Sequence, residues 1–464
     1  MAESGPLPSP AHSQSSMIDT PSSSFSSQTF LPPVSQEQAL METFFHALSH
    51  FAYDKAKECA DRERDARKNT CGNTWGNMLV ALSQLATAEK TFVSLMFLSA
   101  KWFARKDTLR TTYTTLLGDL KKIEELGKNA MGGTAPQFEE LLAHLCGQLC
   151  QYIKARQDIM DFYEQLSSLG SHRTDINYCD VVNIMTEHSQ KHSKSFHHPI
   201  LSPLKTSINQ EFDCLQLLLQ AEMEMSQWKF LPALFKLHDV TTKLDTWGIS
   251  QLIKETKKKH SSSSKTAAVP PIYQWLVKYK NALMSKFSLY FHEVLSKQAP
   301  PGDVKSLMSK LPVDYYAKFI AFHKKTDALN ISLVFDLQGC EDTYKGHGYH
   351  HPEFLFDRPT GLDSYPAIVS YPNERPANHW PNVVMLMTSR MTELSSHDRV
   401  LYFYDKQFQT TYYISKVDVR MTLVIIYDTK KNEKDSYVNT FMTEMSSQLR
   451  SNKLFASLKP GSRS

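Results

Sequence analysis

The 464-residue chain has no long uninterrupted apolar run, no large excess of either charge, and no even set of cysteines. Its most apolar stretch, Met78 to Ala104, is broken by Glu89, Lys90 and Lys101, which excludes a bilayer-spanning helix there. Lys plus Arg number 52 and Asp plus Glu 48. A net charge of +4 is small for this length, so no nucleic-acid partner is expected. From Ile272 onward 24 basic and 19 acidic residues leave +5, against −1 before it. Seven scattered cysteines do not form a disulfide framework, which points to a reducing compartment, cytosol or nucleus. The N-terminus lacks the basic-then-apolar order of a signal peptide, so membrane association is expected only through a surface or a partner.

Signatures of chemistry are also scarce. A phosphate loop needs glycines whose backbone amides approach the phosphates, plus a lysine, and no G-x-x-x-x-G-K-[ST] occurs. Gly346-His347-Gly348 is followed by His351 where a dinucleotide fingerprint wants a third glycine. Neither G-x-S-x-G nor H-E-x-x-H is present. His188 and His192 stand four apart with His197-His198 beyond, and His347, His350 and His351 crowd a loop near Cys340, Glu341 and Asp342. Zinc wants four such donors, usually as two paired knuckles, and neither cluster has that regularity. Both read as surface or packing histidines. Cys146 and Cys150 lie beside Leu145 and Leu149 on a helix and read as buried thiols. Cys340 with His347 as its base is the one imaginable nucleophile pair, of a kind that chance produces often. The expectation is a non-enzyme with no catalytic, cofactor-binding or metal-ligating residues.

What the chain does have is periodicity. Residues 1–36 hold eleven Ser, six Pro and only two charges, too little to bury, so they read as a disordered tail. Ser9-Pro10 and Thr20-Pro21 fit proline-directed phosphorylation, as pairs in such a tail do by chance. Residues 37–256 read as an elongated antiparallel helical bundle. Leu40, Phe44, Leu48 and Phe51 share one helical face. Leu109, Tyr113, Leu116, Leu120 and Ile123 form a seam that Phe138, Leu141, Leu145, Leu149 and Tyr152 repeat. Ser202-Pro203 predicts a capped helix start, followed by Leu204, Ile208, Phe212, Leu215 and Leu219. Gly127, Gly132-Gly133, Gly170 and Trp247-Gly248 mark expected stops. Residues 257–271, Lys257-Lys258-Lys259-His260 through four serines to Pro270-Pro271, are a linker by composition. The same lysines also suit a nuclear-import or anionic-lipid patch, though on a flexible loop they are more simply solvated.

Residues 272–458 change period, and 459–464 form a short tail. Two helices, Tyr273–Leu295 and Pro312–Thr326, are expected before six strands: Ile331–Phe335, Ala367–Tyr371, Val383–Met387, Val400–Tyr404, Thr411–Ile414 and Met421–Tyr427. Hairpin-length connections make the last three an antiparallel meander, and Val438, Phe441, Met445 and Leu449 mark a closing helix. The fold class is α plus α+β. Val400 and Tyr402 alternate with Leu401 and Phe403, so both faces of that strand are apolar. The second face needs a cover, either the helices from Tyr273 to Thr326 or a partner.

The segment Arg399–Asp405, then Tyr412–Asp418 and Met421–Asp428 before a helix, resembles the ending of a roadblock/longin-type domain. The long loop from Gly339 to Asp363 departs from that pattern. From about Gln36 to Ser457 the chain resembles the linker-subunit family of the KICSTOR complex. That resemblance implies a non-catalytic scaffold, cytoplasmic and recruited to the lysosomal membrane surface through its partners. It implies the other subunits as partners: kaptin, an FG-GAP repeat protein and the seizure-threshold protein. It further implies that the complex holds the GATOR GTPase-activating complex at that membrane and restrains the target-of-rapamycin kinase when amino acids or glucose are scarce. Self-association stays open. The alternative is a longin-type regulator acting directly on a small GTPase. No motif assigns partner binding to particular residues.

Overall fold

The structure is a computed structural model and describes residues 36–67, 73–99, 108–129, 136–171, 175–247, 269–346, 350–351, 353, 356–396 and 399–460. Residues 1–35 of the Ser/Pro-rich tail, residues 257–268 of the Lys/Ser-rich linker, Gly132-Gly133, Gly248 and His347 lie outside these residues, whereas Gln36, expected in the tail, opens the first helix.

The first half is the expected helical bundle: α1 (Gln36–Ser49), α2 (Tyr53–Ala66), α3 (Asn73–Val93), α4 (Thr108–Asn129), α5 (Pro136–Ser171), α6 (Tyr178–Ser193), α7 (Ser202–Ser226) and α8 (Phe230–Thr246). Each helix packs on the next, as short connections dictate, and α1 also packs on α7. The α4 seam from Leu109 to Ile123 and the α7 face from Leu204 to Leu219 are buried as their spacing predicts. At 36 residues, and about 54 Å at 1.5 Å per residue, α5 is the spine of the molecule.

One local expectation needs correcting. Ser202 is not a cap: a short 3-10 turn, Pro199–Leu201, runs into α7, and His198 caps that turn by accepting the Ile200 amide at 3.2 Å. Gly127 and Gly170 stand where stops were expected, just inside the ends of their helices at Asn129 and Ser171. At both positions the missing side chain admits another segment's backbone, Glu139 against Gly127 and Phe455–Ala456 against Gly170.

After the linker come α9 (Pro271–Tyr290), α10 (His292–Gln298), α11 (Pro301–Ser309) and α12 (Tyr315–Lys325), where the sequence suggested two helices. Five strands follow, β1 (Asn330–Phe335), β2 (Ala367–Tyr371), β3 (Val400–Asp405), β4 (Thr410–Lys416) and β5 (Met421–Tyr427), in the antiparallel order β2-β1-β5-β4-β3. The β3-β4-β5 meander is present, with Tyr413 opposite Tyr402 and Ile425. Asp405 and Asp418 tighten its two hairpins by accepting the amides of Gln407 and Met421.

The sixth strand is a helix. Val383–Met387 belongs to α13 (Trp380–Ser389), which is followed by α14 (Met391–Leu394). A five-residue apolar run cannot by itself separate strand from helix. Trp380, Val383, Leu386 and Met387 are buried at helical spacing, while Met385 is 47% exposed. These residues pack on Val334, Leu401, Tyr412, Ile414, Val424 and Ile426. They cover the Leu401 face, whereas the face carrying Val400 and Tyr402, the one expected under Tyr273–Thr326 or a partner, packs with helices of that segment.

The other face of the sheet, with Leu333, Tyr413, Leu423 and Ile425, packs with α9, α12 and α15 (Ser436–Leu449). Its core runs without a break into the bundle. Trp275 of α9 meets the Tyr163 ring at 6.1 Å and donates to the Leu454 carbonyl at 3.1 Å in α16 (Asn452–Ala456), which lies against α5. On the far side Trp228 packs on Phe335 at 5.2 Å. Bundle and sheet thus share one interior.

That shared interior sets an expected outcome for limited proteolysis. Trypsin should cut first among Lys257, Lys258, Lys259 and Lys265, giving two bands on a denaturing gel. The fragments should nevertheless elute together in native gel filtration. Separate elution would show that the common core does not hold them.

Candidate interaction surfaces

Two buried charge clusters are the strongest polar features, and each is chemically closed. In the bundle, Arg156 of α5 donates to Glu89 at 2.9 Å and to Glu211 at 2.5 Å. Tyr152 and Tyr113 donate to Glu89 at 2.7 and 3.0 Å, and Tyr163 to Glu211 at 3.2 Å. Burial pushes the Glu211 carboxyl up, with Arg156 opposing it. Burial alone would lower Arg156, but the Glu89 carboxylate, Tyr152 and Glu211 outweigh it and keep the guanidinium charged. A buried acid with a raised pKa is a catalytic candidate in general. Here its oxygens are spent on Arg156 and Tyr163, so the cluster braces α3, α5 and α7.

The second cluster joins the two halves. Lys286 of α9 lies 2.9 Å from Glu222 of α7 and 3.5 Å from Asp418 in the β4–β5 turn. Glu222 also accepts Tyr279 at 3.1 Å and Ser451 at 2.5 Å, and Asp418 accepts Tyr290 at 2.7 Å. Burial would lower Lys286, and the two carboxylates more than offset it. Buried charges persist only when paired in this way.

His188 and His192 share a face of α6 and meet Asp158 of α5 at 3.8 and 2.8 Å. Their donor atoms lie close enough to converge on a cation. The same carboxylate oxygen is held by Lys191 at 2.5 Å, however, so this is an ion-paired joint. His192 is buried with its Nδ1 unpaired, which fits a neutral ring. In the loop cluster, Cys340 is buried, Asp342 pairs with Arg358 at 2.8 Å, and His351 accepts the Glu353 amide at 3.3 Å. These residues do not converge. Cys146 and Cys150 are buried, and burial pushes both thiols up, away from reactivity.

These histidines give the fold a pH dependence. Burial depresses His192, His198 and His292 below the ordinary histidine value. A group depressed in the folded state contributes stability above its unfolded pKa, about 6.5. That stability is lost as the pH falls through the folded value. The melting temperature should therefore drop between pH 7.5 and 5.5. The His198→Asn variant keeps a cap without the titration and should show a shallower drop; an unchanged slope would remove His198 from the account.

The feature that the sequence did not reveal is a groove at the α7–α8 elbow. Trp228 turns the chain there with φ +57°, a left-handed conformation costly for a bulky residue, of order 1–3 kcal/mol. Its indole is held by Phe291 at 4.6 Å and Tyr344 at 5.7 Å, and Thr343 donates to the Gln227 carbonyl at 3.0 Å. The elbow opens a cavity of about 450 Å³ lined by Phe230, Leu231, Pro232, Phe235 and Val294, with Lys229 and Lys345 among its edges. Phe235 in its lining is 59% exposed, and Leu234, the residue before it, is 37% exposed. The signal was Phe230-Leu231-Pro232-Ala233-Leu234-Phe235, a run apolar on every face although one face of α8 suffices for packing.

Comparison with known proteins places the whole architecture. The chain matches the family described as "KICSTOR complex C12orf66 like" over residues 30–463. KICSTOR subunit 2 of Xenopus laevis is 45% identical over 445 residues, 93% of this chain and 100% of its own length. The chain belongs to the KICSTOR subunit 2 family. KICSTOR subunit 2 of Danio rerio is 44% identical over 442 residues, 93% of this chain and 98% of its own. The KICSTOR family match takes in bundle and sheet together, which accords with their common core. Among the described residues no helix is long and apolar enough to cross a membrane.

Proposed function

We propose that this chain is a non-catalytic scaffold subunit of a KICSTOR complex. The family match over nearly the whole chain carries the reading. The closed charge clusters support it, because the groups best suited to chemistry brace helices instead. In this role the chain is cytoplasmic and reaches the lysosomal surface with the other subunits, kaptin, the FG-GAP repeat protein and the seizure-threshold protein. The assembly recruits the GATOR GTPase-activating complex there and restrains target-of-rapamycin signalling when amino acids or glucose are limiting.

Direct action on a small GTPase would ask for an arginine presented to a nucleotide. On the sheet side, Arg375 pairs with Asp363, Arg390 and Arg399 with Glu393, and Arg420 with the Gln338 carbonyl. The scaffold reading is therefore preferred.

Cells lacking the chain should keep GATOR off lysosomes and hold target-of-rapamycin signalling high on amino-acid withdrawal. Wild-type chain and a Cys340→Ala/His351→Ala variant should restore both equally. Loss of rescue in that folded variant would return chemistry to the loop.

A further inference from the structure

We propose that Asp158 of α5 with His188 and His192 of α6 holds a zinc ion that clips the two helices together; this goes beyond the scaffold reading and does not depend on it. Three observations carry it. The first is geometry. His188 and His192 stand one turn apart on α6, so both imidazoles lie on one face. Their spacing alone offers two donors, and the fold brings up a third from α5. His188 Nδ1 lies 3.8 Å and His192 Nε2 2.8 Å from the same Asp158 oxygen, Oδ2. All three donor atoms fall within 4.8 Å of one another. Donors held about 2.0–2.1 Å from a tetrahedral zinc are separated by roughly 3.3 Å, so small side-chain adjustments suffice. Two imidazoles favour zinc over calcium or magnesium, which take oxygen donors.

The second is the state of the donors, since a metal takes neutral imidazoles and an ionised carboxylate. Burial depresses His192. Burial also opposes ionisation of Asp158, but its hydrogen bonds to Lys191 and His192 outweigh this and hold the carboxyl below its usual value. No partner holds His192 Nδ1, so no hydrogen bond opposes the tautomer that leaves Nε2 free for a metal. Phe212 lies 6.2 Å from the His192 ring and Phe162 6.2 Å from His188, an apolar wall on the inner side.

The third is access. The Asp158 and His188 side chains are each 24% exposed, so the fourth position of a tetrahedral site opens to solvent. Lys191, which holds Asp158 Oδ2 at 2.5 Å, is 63% exposed on a flexible stem and competes only as weakly as a surface ion pair does. The ion-paired joint is thus the metal-free form of the site, with an ammonium standing where a metal cation can replace it. A clip has work to do here, because α6 packs chiefly on α7 and more sparsely on α5.

The test titrates zinc chloride into chelator-stripped full-length chain by calorimetry, and cobalt chloride for its absorption spectrum. Wild type should bind one zinc per chain and melt at a higher temperature with zinc than without. His188→Gln changes a part-exposed position and should lose zinc affinity by more than roughly tenfold, a loss that changes around a metal's ligands already cause. Lys191→Ala removes the competing ammonium and should tighten zinc by about two- to fivefold. Unchanged or weaker binding in Lys191→Ala overturns the shared position of ammonium and metal, and with it the site. Equal zinc binding by wild type and His188→Gln places the metal elsewhere and overturns the proposal, as does the absence of zinc binding by wild type. The cobalt spectrum reads the site without any variant: nitrogen-and-oxygen ligation supports it, and the intense thiolate band of a cysteine site overturns it.

Discussion

Replacing Lys286 with methionine should destabilise the protein by about 3–5 kcal/mol, the usual cost of stripping one partner from a buried ion pair. Lys286 is only 5% exposed and Glu222 fully buried, so solvent cannot take over the lost ammonium. Glu222 would keep only hydroxyl donors, those of Tyr279, Ser451 and Tyr178, and Asp418 would keep Tyr290. Because these groups sit on α7, α9, the β4–β5 turn and the start of α16, the damage should reach bundle and sheet at once. Adding Glu222→Gln to Lys286→Met should recover part of the loss, since a neutral amide is cheaper to bury than an unpaired carboxylate. Denaturant unfolding of the two variants measures both effects. A single-variant loss below about 1 kcal/mol would mean that the cluster is not the joint described here.

Gly170→Val should release the C-terminal helix from the bundle. A Cβ at Gly170 would lie 2.2 Å from the Ala456 amide nitrogen, 2.6 Å from the Phe455 carbonyl carbon and 2.7 Å from the Asn452 oxygen. All three are backbone atoms, which cannot rotate away as a side chain would. α16 must lift, exposing Phe455 and costing the Trp275 hydrogen bond to Leu454. Uncovering one phenylalanine is worth about 1.5–3 kcal/mol, and the hydrogen bond about 1 more. Hydrogen exchange at residues 452–458 should accelerate sharply, with a lower melting temperature. Gly118→Ala makes the contrast: it lies within α4 with nothing within 4 Å of the added Cβ, and should stabilise by about 0.5–1 kcal/mol.

The elements legible in the sequence were those whose pattern and environment agree. Leu109 to Ile123 repeats at helical spacing and is buried on one side; β5, Met421–Tyr427, is β-branched and buried on both faces. Val383–Met387 misled because its composition favours a strand, while the sheet's Leu401 face required a helix to cover it. Gly170 does mark the end of α5, but nothing local reveals that Phe455–Ala456, far along the chain, lies against it. The shape of the elbow groove was hidden for the same reason, although the run Phe230 to Phe235, apolar on every face, pointed to an exposed apolar surface there. Trp228 adopts its left-handed backbone under the grip of Phe291, Phe335 and Tyr344, all distant in sequence. The partner of the histidine pair on α6, Asp158, lies on α5 and could not be foreseen from the i, i+4 spacing alone.

The account's central claim is that this chain acts by holding other proteins together. Its most direct test is co-purification of the remaining KICSTOR subunits from cells with and without the chain, followed by sizing of the assembly. The account predicts that the assembly falls into smaller pieces without the chain and is restored by adding the purified protein back. A complete assembly of undiminished size in its absence would contradict it.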